Sequence, residues 1–247
     1  GERSAPGNVV FEVLALERTG VFADITFNVR AGEVVGFGGL MGAGRTEVMR
    51  CLYGLDRYTS GVVKVDGEAV SIDSPAAALS HGIALVSDDR KNIGLVLGLS
   101  IRKNLTLQNP RLISHFGFID DAVESELSAT TVREFSIRSR SDEQIVSTLS
   151  GGNQQKVVLG KVLLSKPRVL ILDEPTRGID IGAKAEIYKL IQRLAEDGVA
   201  VILVSSELPE LIGLSDRIVV FRSGRIAGQL SRAEATEIRI MEYAFSH

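Results

Sequence analysis

Apolar residues recur along this chain in two rhythms, and the switch between them marks out three stretches. Up to about residue 87 they come in short runs rich in valine, isoleucine and phenylalanine, bounded by Gly, Asp or Asn. Residues 9–14, 25–29, 34–37 and 62–65 have the length and β-branched content of strands. Gly61-Val62-Val63-Lys64-Val65-Asp66-Gly67 reads as a hairpin strand closed by an Asp-Gly turn. A short helix over 75–81 and a strand over 82–86 complete this stretch. Between about Asp88 and Lys166 the apolar positions fall at helical spacing and charge density rises, with 120–135 the clearest helix. Strand and helix then alternate again: a strand over 169–172, a helix over 183–197, a strand over 199–204, and a hairpin-like pair over 217–221 and 225–230. The runs at 169–172 and 199–204 are apolar at every position, as parallel strands buried on both faces are. The pattern predicts an α/β frame carrying a helix-rich insert.

Composition narrows the function classes. At 247 residues the chain suits one large domain, or a domain with an inserted subdomain. A net charge of −3 without a long basic run argues against sequence-independent nucleic-acid binding. No apolar run approaches the ~18 residues a membrane helix needs. No charged-then-apolar signal segment opens the chain, so a soluble, cytosolic location is expected. The single cysteine, Cys51, excludes a disulfide framework and sits on an apolar helical pattern, as a buried thiol would.

Three motifs carry chemistry. Gly39-Leu40-Met41-Gly42-Ala43-Gly44-Arg45-Thr46 has the Gly-x4-Gly-basic-Thr spacing of a phosphate-binding loop, with arginine in the lysine position. It lies between a short apolar strand and a helical pattern over 47–53 that ends at Gly54, a C-cap candidate. Strand, glycine loop and helix aim a helix N-terminus at an anion. Thr46 would offer a hydroxyl to Mg²⁺, and Arg45 would face phosphate; the bland reading is a glycine-rich turn with a solvent-facing arginine. The second motif, Val169-Leu170-Ile171-Leu172-Asp173-Glu174-Pro175, ends an apolar strand in two acids. Asp173 suits Mg²⁺, usually through water, and Glu174 could orient or deprotonate an attacking water. A solvated acidic turn is the alternative. The third, Leu149-Ser150-Gly151-Gly152-Asn153-Gln154-Gln155-Lys156, combines an N-cap serine with glycines that free backbone amides for an anion; otherwise it is an ordinary capped helix.

Taken together and in this order, the three motifs resemble the nucleotide-binding domain of ATP-binding cassette (ABC) proteins, over nearly the whole chain. The resemblance implies an α/β P-loop NTPase fold, with a RecA-like parallel-sheet core, an N-terminal antiparallel β subdomain and a helical subdomain. One domain would span 1–247, with 1–87 and 167–247 as core and 88–166 as insert. It implies ATP and Mg²⁺ as cofactors, held by Gly39, Leu40, Met41, Gly42, Ala43, Gly44, Arg45 and Thr46. Glu174 would be the catalytic residue, and Thr46, Asp173 and Asp88 the metal-side candidates. In this family two domains pack head to tail, so Ser150, Gly151, Gly152 and Asn153 would reach the partner's ATP and Asp180 would communicate across the dimer. Asp180 is also a natural N-cap for the following helix.

Three positions depart from the family pattern: Arg45 replaces lysine, Asp88 falls where a glutamine usually senses the γ-phosphate, and Ser206 where a histidine usually contacts it. Arginine keeps the charge but not the geometry of an ammonium. Asp88 either adds negative charge near an anion or pairs with Arg90 or Lys91. Ser206 is too short to replace an imidazole. With Asp173 and Glu174 retained, the expectation is an asymmetric domain: weak or slow at its own nucleotide and equipped to complete its partner's. The departures also resemble the second, C-terminal cassette of bacterial monosaccharide importers, with nucleoside importers as close relatives. That implies a companion cassette, membrane permease subunits and, indirectly, a solute-binding protein, at the cytoplasmic membrane face and with no nucleic acid. Ile93, Leu95, Val96 and Leu97 are candidates for the permease-facing floor, and Phe22 for stacking on adenine, though each also suits a core. A regulatory module with little hydrolysis is the competing function; a cassette acting in translation or DNA repair lacks the long arms or basic tail it would need here. The isolated chain is expected to be monomeric or weakly dimeric.

Overall fold

A computed structural model describes residues 6–245. The chain forms two compact units, one from residues 6–85, 167–174 and 191–245, the other from Val86–Lys166 and Pro175–Leu190.

The first unit holds two sheets. β1 (Val9–Arg18), β2 (Phe22–Arg30), β4 (Ser60–Val65) and β5 (Glu68–Val70) pair antiparallel in the order β2-β1-β4-β5. The Asp-Gly turn closes the β4–β5 hairpin as expected, Val65 standing opposite Glu68. The second sheet contains β3 (Val34–Gly39), β6 (Ile83–Val86), β9 (Val169–Asp173), β10 (Ala200–Val204), β11 (Arg217–Arg222) and β12 (Arg225–Ser231), in the order β12-β11-β3-β10-β9-β6. β11, β3, β10 and β9 run parallel, and the β11–β12 hairpin adds an antiparallel edge. Every residue of β9 and β10 is buried, which is why these strands read as unbroken apolar runs. Phe11 and Phe27 from one sheet continue into Phe37 and Phe221 from the other through ring centroids 6.3, 5.0 and 5.5 Å apart. Phe22 joins this core at 3% exposure, so its ring is packed away and not offered to a base. Cys51 is buried there too, and burial pushes its thiol up to about 11. Around the sheets lie α1 (Arg45–Leu52), α2 (Pro75–Ser80), α7 (Leu208–Leu214) and α8 (Glu237–Phe245). The C-cap of α1 is Tyr53, with Gly54 the residue after it.

The second unit is helical but not apolar throughout. Its helices are α3 (Ile101–Thr106), α4 (Asp121–Glu134), α5 (Gly151–Leu163) and the first part of α6 (Ile181–Glu196). Asp120 caps α4, its carboxylate accepting from the amides of Ala122 and Val123. The residues α4 buries are Glu124, Ser128 and Thr131, a polar stripe at helical spacing. Glu124 accepts from Thr106 Oγ1 at 2.7 Å and Lys103 Nζ at 2.6 Å. Buried Asn104 bonds both the amide and the carbonyl of Val96. A minimal hairpin, β7 (Ser114–His115) with β8 (Phe118–Ile119), interrupts the helices; two residues per strand are too few to show alternation in a sequence.

Candidate functional site

In the first unit β3 runs straight into the glycine loop, and α1 begins at Arg45 with Gly44 as its N-cap. Gly39 has φ 140°, and a Cβ there would lie 2.4 Å from the Phe221 carbonyl oxygen. Gly44 has φ 100°, and no side chain caps the helix. The first-turn amides of α1 are therefore left to the loop, the arrangement that receives an anion. Met41 at the loop tip is almost fully exposed and Leu40 partly so, whereas Ala43 is buried and Thr46 half-buried.

Arg45 is buried, 8% exposed, and its guanidinium is tied to backbone. Nη1 donates to the carbonyl of Ser205 at 2.8 Å and more weakly to that of Phe37 at 3.4 Å. This links the ends of β3 and β10, a role no local pattern announces because Ser205 lies 160 residues away. Burial pulls the Arg45 pKa down from its ordinary value, while Glu174, Asp173 and Glu47 pull it back up. The guanidinium thus stands in the field of the strand-end acids.

Those acids close β9. Asp173 is buried at 3% exposure. Glu174 adopts the left-handed conformation, φ 49°, just before Pro175, with its amide donating to the Val204 carbonyl at 2.9 Å. A non-glycine residue held there stores about 1–2 kcal/mol of strain, and such strain gathers at functional positions. The hydroxyl of Ser206 donates to Glu174 Oε2 at 3.1 Å. Ser206, too short to imitate an imidazole, instead orients the carboxylate.

The second unit holds Asp88, Ser150–Asn153 and Asp180. Ser150 occupies the N-cap position of α5, but its side chain makes no capping bond. Its Oγ accepts from Asn153 Nδ2 at 3.0 Å, while Asn153 Oδ1 accepts from the Arg138 amide at 2.8 Å. Asn153 thus tethers the serine, a role its place in the motif did not suggest. A Cβ on Gly152 would meet Ala183 Cβ at 2.4 Å, so the starts of α5 and α6 are packed too closely for any side chain there. Asp180 does cap α6, accepting from the Ala183 amide at 3.0 Å. Asp88 bonds Arg177 at 3.3 Å, and not Arg90 or Lys91, the pairing in one of its two sequence readings: Arg90 is drawn to the Arg177 carbonyl and Lys91 is exposed. Among the apolar floor candidates Leu95 is core, Leu97 is half-buried, and Ile93 and Val96 are exposed.

The sequence matches the ABC transporter family over residues 22–177, a span holding the glycine loop, the α5 start and the strand-end acids. The chain belongs to that family. It is 49% identical over 236 residues to the ribose import ATP-binding protein RbsA of Lactococcus lactis, covering 96% of this chain and 48% of that protein. The Bacillus licheniformis RbsA is 48% identical over 239 residues, covering 97% of this chain and 48% of the relative. The chain thus spans about half the length of the curated relatives it matches. Among solved structures, cbiO1 from Clostridium perfringens superposes with a TM-score of 0.78 at 21% identity, covering 95% of this chain and 93% of its own. An ATP-binding cassette of an ABC transporter in its ADP conformation gives 0.80 at 17% identity, covering 97% and 100%. These likenesses fix the fold of this family member as that of the ABC cassettes. None of its helices among the described residues is long and apolar enough to cross a membrane.

Proposed function

We propose that this chain is the ATP-binding and ATP-hydrolysing C-terminal cassette of a bacterial ABC importer for a monosaccharide. The observation that carries the reading is the uncapped glycine loop at α1 in the same unit as the strained Glu174 beside buried Asp173. Identity to ribose import proteins across nearly the whole chain supports the substrate class. Gly39, Gly42 and Gly44 shape a loop whose amides suit phosphate oxygens. Thr46 and Asp173 are hard oxygen donors, a set that suits Mg²⁺ with phosphate and water completing its shell. When bound, that ion would neutralise charge on the phosphates. Glu174 would accept a proton from the attacking water, with Ser206 fixing its carboxylate. Ser150, Gly151, Gly152 and Asn153 would serve the ATP of a companion cassette, with Asp180 linking the two. Membrane permease subunits would anchor the pair at the cytoplasmic face, with a solute-binding protein acting indirectly.

Arg45, held by two carbonyls, favours a second reading in which this half binds nucleotide but turns it over slowly or not at all. Two measurements decide. Calorimetric titration with Mg-ATP should give micromolar binding that Arg45→Glu abolishes; no binding up to millimolar ATP would sink the nucleotide role of this loop. Glu174→Gln in the full-length protein should lower turnover if this half hydrolyses ATP, and leave it unchanged if the second reading holds.

A further inference from the structure

Three segments far apart in sequence meet in the second unit around one guanidinium. Arg90 Nη1 donates to the carbonyl of Arg177 at 3.4 Å. A Cβ on Gly151 would lie 3.1 Å from Arg90 Nη2 and 3.3 Å from the Gly178 carbonyl, so the start of α5, the Arg90 side chain and the 176–180 loop are in mutual contact. Arg177 ties the loop back to the first of these segments, its Nη1 donating to Asp88 Oδ2 at 3.3 Å. Asp89 braces the backbone beyond it: its carboxylate accepts from the amide and the side chain of Asn92, opening a single π-helical turn, Arg90–Gly94. Isolated π-turns are uncommon and gather at functional positions. Lys161 of α5 closes that turn by donating to the Gly94 carbonyl. Arg90 Nε is buried without a hydrogen-bond partner, an arrangement that packing for stability alone does not favour.

We propose that Asp88 and Arg90 form a clamp that holds the Arg177–Gly178 turn against the start of α5, and so sets the placement of Asp180 relative to Ser150 and Gly151. Both are positioning residues: neither has to touch nucleotide. The Asp88–Arg177 pair is largely exposed, and exposed pairs add little to stability. Its effect is on geometry, because it joins two segments 89 residues apart that flank the α5 start. The clamp explains why an acid is tolerated at position 88, since its charge is answered by Arg177. What the clamp serves rests on the proposed function; the clamp itself does not.

The test uses the full-length natural polypeptide with Asp88→Arg, Arg177→Asp and the double swap. Each single change should speed hydrogen exchange in 150–153 and 176–182, and the swap should restore protection. Each single change should also lower the kcat for ATP by about three- to tenfold with KM nearly unchanged. The swap should recover most of that loss, and Arg90→Gln should behave like the single changes. Melting temperatures should hardly move, which separates a positioning role from a structural one. Unchanged exchange in the single variants, or a swap no better than the worse single, would overturn the clamp. If the unmodified protein hydrolyses no ATP, the proposed function fails, while the exchange data still decide the clamp on their own.

Discussion

β9 and α4 belong to different units, and they are held by different chemistry. β9 offers Val169, Leu170, Ile171 and Leu172 in succession, all fully buried, and its only buried charge is Asp173 at the end. α4 buries Glu124, Ser128 and Thr131, while its larger apolar residues are only partly covered. The first arrangement depends on area removed from water, which is non-directional and insensitive to pH. The second depends on buried Glu124 keeping its partners on α3, which is directional and fails sharply when one of them is lost. Both stabilise, but they should break under different conditions.

The largest effect is expected in the strand. Leu170→Ala removes a fully buried side chain from a strand packed on both faces, and should cost about 3–4 kcal/mol in chemical denaturation. That cost should be almost the same at pH 7 and pH 4. A loss under about 1 kcal/mol would mean that the sheet core collapses around the cavity, and the two units would then differ less than their packing suggests.

The helical unit should respond to a smaller change, and only above acid pH. Burial pushes the Glu124 carboxyl upward, but hydrogen bonds from Lys103 and Thr106 more than reverse this and hold it below the ordinary range. A depressed carboxylate stabilises the fold above its unfolded pKa, near ~4.3, and that stability is lost as pH falls through the folded value. Lys103→Met strands Glu124, 1% exposed, with Thr106 alone; since the lysine is itself half exposed, the cost should be about 2 kcal/mol at pH 7. It should shrink as pH falls through the depressed folded value of Glu124, because only below that value is the carboxyl protonated in both states. Asp142, bonded by Arg102, and Glu186, bonded by Lys156, are shifted the same way in this unit. Hydrogen exchange followed from about pH 6 down to below the ordinary carboxylate range should therefore show α3 and α4 opening while β9 and β10 stay protected. Simultaneous opening would contradict the division.

The same contrast sets what the sequence could reveal. Continuous apolar runs located β9 and β10 to within a residue or so, because a strand buried on both faces leaves no other pattern. The glycine loop and the start of α5 also lie where the motif spacing put them, since spacing along a chain is a local property. The long-range partners were not legible. Arg45 reaches Ser205, and Asp88 reaches Arg177, across separations at which no periodicity operates. The buried face of α4 was hidden for another reason: a polar stripe on a helix reads as solvated until the partners of Glu124 on α3 are in place.

The smallest predicted effect is also the most discriminating about the start of α5. Asp120 and Ser150 occupy the same position at the heads of two helices in one unit, and both are residue types that cap well. Asp120 accepts two backbone amides, so Asp120→Ala should cost about 1 kcal/mol and let the first turn of α4 fray. Ser150 accepts only from the Asn153 side chain and is exposed, so Ser150→Ala should change stability by less than about 0.5 kcal/mol. Urea unfolding of the two variants in parallel checks this. Equal costs would mean that the serine hydroxyl caps α5 in solution after all. Unequal costs, with a loss of ATP turnover confined to Ser150→Ala in the full-length protein, would leave the first amides of α5 and the serine hydroxyl committed to an anion from outside the chain.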